Sequence, residues 1–150
     1  MKKILFASII ASFLFSCNRD DSSSTDTTTT VTGKWKLTTF VILNGTDKKT
    51  LYSETNSGCV ASNRYEFKTD GTYSFTYYNY INGSCSLSST ETGTYTYDDT
   101  TKKLTTIKSG VSTISDVYSL SAAEMQVKTG EVDYNNDGTQ DLKITVYTKQ

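Results

Sequence analysis

Beyond Val31, the apolar and aromatic residues of this 150-residue chain recur mainly at every second position, in short runs. No window carries them at the 3.6-residue spacing of a helix, so the pattern asks for pleated strands with one buried face. Trp35, Leu37, Thr39, Val41 and Leu43 are expected on one face of a first strand, which Asn44-Gly45 ends with a strong turn signal. Residues 64–68 place Tyr65 and Phe67 together, Thr69-Asp70-Gly71 turns the chain, and residues 72–80 align Tyr73, Phe75 and Tyr77. After a turn at Asn82-Gly83, residues 93–97 carry Tyr95 and Tyr97 in register, and further strands are expected over 103–108, 112–120, 124–133 and 140–148. The last three align Ile114, Tyr118 and Leu120, then Met125 and Val127, then Leu142, Ile144 and Val146. About eight strands with turns every ~8–12 residues predict an all-β fold, an antiparallel up-and-down β-barrel, with a β-sandwich as the alternative. Closure favours the barrel, because it removes edges along which a Thr- and Tyr-rich sheet would pair with other chains.

The N-terminus reads differently. Met1-Lys2-Lys3 is a basic start, and Ile4 to Phe15 is an uncharged run of 12 residues. A membrane-spanning helix needs ~20. The run suits a secretory signal peptide over residues 1–16, the alternative being a buried N-terminal helix. Leu14-Phe15-Ser16-Cys17 resembles the lipobox of bacterial lipoproteins, with Phe15 bulkier than the usual occupant. That resemblance implies that Cys17 is acylated and becomes the first residue of a chain anchored to membrane by its lipid. Residues 17–30, including the polar run SSSTDTTTT, are then a flexible tether. Arg19-Asp20-Asp21 looks like the acidic signal that sends some lipoproteins of Gram-negative bacteria to the outer membrane and the cell surface; the bland alternative is a solvated tail.

With Cys17 lipidated, Cys59 and Cys85 remain, as a disulfide in an oxidising compartment or as two free thiols. Loss of Lys2 and Lys3 from the 15 basic side chains, with all 16 acidic ones kept, takes the net charge from −1 to −3. No basic patch is left for nucleic acid. The chain has no histidine, the commonest general base, so an enzyme is not expected.

Gly33-Lys34-Trp35, at the start of the first strand behind a flexible leader, resembles the G-x-W motif of the lipocalins. Tyr65-Glu66-Phe67, Asp70-Gly71-Thr72-Tyr73 and Gly93-Thr94-Tyr95 resemble the lipocalin-like domains of secreted bacterial lipoproteins. The resemblance spans residues 31–150 and implies that Trp35 closes one end of a barrel. Many lipocalins stack an arginine from the last strand over that tryptophan; here the arginines are Arg19 and Arg64, neither near the C-terminus. The T-D-Y loop motif of that family is absent too, with Ser115-Asp116-Val117-Tyr118 only a loose echo.

Two clusters are candidates for binding. Trp35, Tyr65, Phe67, Tyr73, Phe75, Tyr77, Tyr95 and Tyr97 would line a cavity for a small apolar or amphipathic ligand, or simply fill a narrow barrel. In the second case the chain would be a protein- or glycan-interaction module, with Tyr78 and Tyr80 offering an outward patch. The segment DYNNDGTQD sets Asp133, Asn135, Asp137, Thr139 and Asp141 at the alternate positions of a calcium loop, with Gly138 at the sharp turn. Ile144 stands where a bidentate glutamate would complete an EF-hand, so the segment is either a weak calcium site or simply a hairpin turn at Asp137-Gly138. If residues 135–139 form the turn, Asp133 and Asp141 face each other, a repulsion that a cation would relieve.

Overall fold

The computed structural model describes residues 29–150; the expected signal peptide, Cys17 and residues 18–28 of the tether lie outside the described residues. Nine strands follow in chain order: β1 (Gly33–Leu43), β2 (Thr50–Thr55), β3 (Arg64–Phe67), β4 (Thr72–Ile81), β5 (Ser84–Asp98), β6 (Lys103–Lys108), β7 (Val111–Leu120), β8 (Glu124–Val132) and β9 (Asp141–Lys149). All pairings are antiparallel, and the sheet runs β2-β1-β3-β4-β5-β6-β7-β8-β9 before β9 returns to β1. The sheet therefore closes into a ring of β1 and β3 to β9, with β2 alongside β1 as the one strand outside the circuit among the described residues.

β1 serves two neighbours on the same side. Gly33–Lys36 pairs with β3, and Thr39–Leu43 pairs with β2. Between these halves Leu37 N donates to Asn63 O at 3.0 Å and Asn56 N to Thr38 O at 2.7 Å, so the changeover leaves no gap in the hydrogen bonding. On its other side β1 bulges against β9: Leu37 pairs with Tyr147, but Thr39 pairs with Val146. One extra residue reverses the facing of everything beyond it. The expected single face of Trp35, Leu37, Thr39, Val41 and Leu43 is thus split. Trp35 and Leu37 face as Tyr147 does, whereas Thr39, Val41 and Leu43 turn to the side of Val146, Ile144 and Leu142.

The aromatic residues collect on the ring's inner side. Trp35, Phe67, Tyr73, Phe75, Leu104, Val117, Met125 and Val127 form one buried cluster with Val31, and Tyr65, Tyr77, Tyr95, Tyr97 and Tyr147 pack against it. Ile144 and Val146 are also buried, but on the face of β9 opposite Tyr147. Trp35 is completely buried, and its indole N–H donates to Val31 O at 2.6 Å. The ammonium of Lys149, in the last strand, lies 5.0 Å from the indole centroid, so a lysine takes the place that the resemblance reserved for an arginine. Gly33 makes room for it: a Cβ there would stand 2.7 Å from Lys149 Cε, at a φ of +131° that side-chain-bearing residues avoid.

Two elements escaped the alternation pattern. β2 is exposed almost throughout, and β5 begins nine residues before the expected strand at Gly93. Residues 84–92 pair with β4 alone, because β6 joins β5 only from Thr94. Up to Thr90 this overhanging stretch has no core to face and so carries no apolar period. A disulfide between Cys59, in a single 3-10 turn at Gly58–Ser62, and Cys85 ties it down, with a Cα–Cα distance of 5.2 Å.

Candidate functional site

The inner face leaves a cavity of about 220 Å³. Tyr65, Phe67 and Tyr73, from the β3–β4 hairpin, line it, as do Met125 and Val127 of β8 and Tyr147 of β9. The β6–β7 hairpin supplies a wall through three registered pairs: Leu104 with Ser115, Thr106 with Thr113, and Lys108 with Val111. Period-two facing brings all six of these side chains to one side of the sheet. Glu91 of β5 completes the lining and forms an ion pair with Lys108 at 2.7 Å.

The cavity is therefore graded. Phe67, Leu104, Met125 and Val127 are apolar and largely buried; Thr106, Thr113, Ser115 and the tyrosines add hydroxyls; Glu91 and Lys108 bring charge, and both are partly exposed. Burial pushes the phenol of Tyr147 up to about 12, with Tyr77 adding to the shift. Burial also drives Tyr65 far above the usual phenol range, helped by Tyr147, Tyr77, Tyr73 and Glu91. Both phenols stay neutral across physiological pH and can donate a hydrogen bond. The hydrogen bond from Lys108 to Glu91 raises the lysine and keeps it charged.

Of the aromatic residues expected to line a cavity, Tyr65, Phe67 and Tyr73 do so. Trp35, Phe75, Tyr77, Tyr95 and Tyr97 instead build the solid part of the interior or its rim. Phe75 lies tilted against Tyr65 with ring centroids 4.1 Å apart and meets Tyr77 edge-on at 4.2 Å. The Tyr95 hydroxyl donates to Lys68 O at 2.8 Å and contacts Thr32 Oγ1 at 3.1 Å, while that of Tyr97 reaches Asp99. The ring is thus filled at the tryptophan and hollow beside Tyr147. The lining residues not anticipated are the charged pair, the β6–β7 wall, Met125, Val127 and Tyr147. Val127 and Met125 were visible as an apolar pair; Thr106, Thr113 and Ser115, as hydroxyl-bearing residues, give no apolar signal.

The acidic loop is arranged around its own backbone. Asp133 accepts from the N–H groups of Asp137 at 3.1 Å and Gly138 at 3.0 Å, Asn135 Oδ1 accepts from Asp137 N at 3.2 Å, and Asp137 Oδ1 accepts from Thr139 N at 2.7 Å. Asp141 does not face Asp133. It pairs with Val132, is completely buried, and accepts from Gly45 N at 2.8 Å and Tyr134 N at 3.0 Å. The direct opposition expected of Asp133 and Asp141 is not formed, because the register sets Val132 across from Asp141. Among the described residues no group of three or more acidic, cysteine or histidine side chains is placed to hold a metal ion.

On the overhanging hairpin, Tyr80 is 73% exposed and Leu87 59% exposed, and their registered partners are Cys85 and Tyr78. Tyr78 is drawn back instead, accepting a hydrogen bond from Arg64, whose guanidinium lies 5.3 Å from its ring centroid.

Comparison with known proteins supplies the context for this geometry. The family model described as a lipocalin-like domain matches residues 31–127. Among solved structures, a lipocalin-like protein from Bacteroides uniformis is 16% identical, with a TM-score of 0.48 over 79% of this chain and 97% of that one. Aphrodisin, a sex pheromone from the female hamster, is 16% identical, with a TM-score of 0.37 over 81% of this chain and 76% of that one. No curated protein matches the chain.

Proposed function

Because the chain belongs to the lipocalin-like domain family, we propose that it is a non-enzymatic binding protein that holds a small apolar or amphipathic molecule inside its ring. The cavity beside Tyr147 carries this reading: a side-chain-filled interior would leave no space of about 220 Å³ between Tyr65, Leu104 and Met125. Its apolar interior and its charged pair suit a guest with one greasy and one polar part. Native mass spectrometry of the protein purified from its own cells tests this. A guest released on unfolding supports the reading; an interior that takes up no small molecule at millimolar concentration overturns it.

The order of basic start, apolar run and Cys17 supports a second element of the reading, that the protein is lipid-anchored through Cys17 to the outer membrane or cell surface of a Gram-negative bacterium. Cys17→Ala is expected to release it from the membrane fraction, and unaltered fractionation would refute the anchor. The exposed Tyr80 and Leu87 favour an additional outward contact with a protein or glycan. Tyr80→Ala should weaken such a contact and leave guest uptake intact.

A further inference from the structure

The size, polarity and charge of the cavity narrow the chemical class of its guest. We propose that it selects a neutral, single-ring compound carrying hydrogen-bonding oxygens, and not a long-chain lipid; this rests on the cavity being a binding site at all.

Size comes first. An apolar cavity of about 150 Å³ holds one benzene, so about 220 Å³ holds on the order of nine heavy atoms. A sixteen-carbon acyl chain is about twice that. Towards the tryptophan the interior gives it nowhere to continue, because Trp35 is completely buried, Phe67 is 2% exposed and stacks 5.4 Å from Tyr65, and Phe75 closes on Tyr65 at 4.1 Å. Width favours a ring too, since aromatic rings on one side face the Leu104, Thr106 and Thr113 wall on the other.

Polarity comes next. The hydroxyls of Tyr65, Tyr73 and Tyr147 have no hydrogen-bond partner among the described residues, yet no side-chain polar atom is sealed away without one. They therefore look into accessible space. A pure hydrocarbon would strip their water and return nothing, whereas an oxygen-bearing guest replaces it.

Charge decides the rest. Lys108 and Glu91 neutralise each other at 2.7 Å. An anionic guest would have to draw Lys108 away and lie against Glu91, and a cationic guest would face the reverse. A neutral guest accepts from Lys108 or donates to Glu91 without parting them.

The probes are 4-hydroxybenzyl alcohol and 1,4-cyclohexanedimethanol as neutral rings, 4-hydroxybenzoate as the anionic counterpart, and palmitate, each titrated calorimetrically into the purified protein. At least one neutral ring compound is expected to bind saturably, 4-hydroxybenzoate at least tenfold more weakly than 4-hydroxybenzyl alcohol, and palmitate not at all. Tyr147→Phe, which keeps the shape and removes one hydroxyl, should weaken the neutral ring by about three- to tenfold. Val127→Phe, which fills the space, should abolish binding. Palmitate bound in a Val127→Phe-sensitive way, with the ring compounds silent, would overturn the ring assignment and leave the cavity reading standing. Ring compounds that bind Val127→Phe as well as the parent would place them outside the cavity and overturn the proposal. Silence of all four probes, together with no released guest, would overturn the proposal and the reading beneath it.

Discussion

Removing the Asp141 carboxylate should be among the most damaging single changes to this fold, and the size of the effect follows from its two hydrogen bonds. The side chain is completely buried and accepts from Gly45 N, in the turn after β1, and from Tyr134 N, in the loop between β8 and β9. It thereby ties together the turns flanking the β1–β9 seam where the ring closes. Hydrogen bonds to a carboxylate are worth about 1.5–3 kcal/mol each, and their loss leaves backbone donors without a partner. Asp141→Ala should therefore cost about 3–6 kcal/mol, on the order of 10–20 °C in melting temperature for a domain of this size. Asp141→Asn keeps one carbonyl acceptor and should fall about midway. The assay is urea unfolding followed by far-UV circular dichroism, with the slope against urea checked for constancy. A loss below about 1 kcal/mol for Asp141→Ala would mean that these two hydrogen bonds do not hold the seam together. The same samples decide what the acidic loop does. If its side-chain oxygens serve only the loop's own N–H groups, chelator and added calcium leave the melting temperature of the parent unchanged, whereas a calcium-dependent rise would identify the loop of Asp133, Asn135, Asp137, Thr139 and Asp141 as a metal site.

Much of the ring was legible in the sequence because each inward strand carries its signal on one face. Tyr73, Phe75 and Tyr77 against Tyr65 and Phe67 gave the β3–β4 hairpin, and Met125 with Val127 gave β8. What escaped was physical in origin. β2 and residues 84–90 of β5 have no buried face, so nothing in their composition alternates. The bulge at Thr38 costs one residue and leaves no mark on the apolar pattern, yet it sends Val41 and Leu43 to the other side of the sheet from Trp35. The cavity wall was hidden for a related reason. Thr106, Thr113 and Ser115 look like solvent-facing strand residues in a sequence, and only closure of the ring turns them inward. Lys149 over Trp35 was missed because the motif taught an arginine, although a lysine ammonium meets the same ring face.

Further perturbations test separate parts of the account. Cys59→Ser with Cys85→Ser opens a loop whose ends are 26 residues apart and should cost about 3–4 kcal/mol, read by denaturant unfolding; an unchanged midpoint would mean the overhang needs no tie. Lys149→Ala should cost about 1 kcal/mol and Gly33→Ala more, with the double variant less harmful than the sum because the methyl added at position 33 no longer meets Lys149 Cε; strict additivity would contradict the contact. The Tyr147 phenol is raised when folded, so its contribution is fully present below the ordinary phenol range and is lost as pH climbs from about 10 towards about 12. Stability should fall there by up to about 1.4 kcal/mol per pH unit from this group, and Tyr147→Phe should flatten that fall; identical alkaline curves would sink the assignment.

The most direct test of a hollow, guest-holding ring is a methyl-resolved NMR titration with 4-hydroxybenzyl alcohol. Leu104, Met125 and Val127, which line the cavity, should shift together and saturate at one affinity, while Ile144 and Val146 on the opposite face of β9 stay still. Silent lining methyls with shifts confined to Leu87 on the overhang would contradict it, and the binding site would belong on the outer surface.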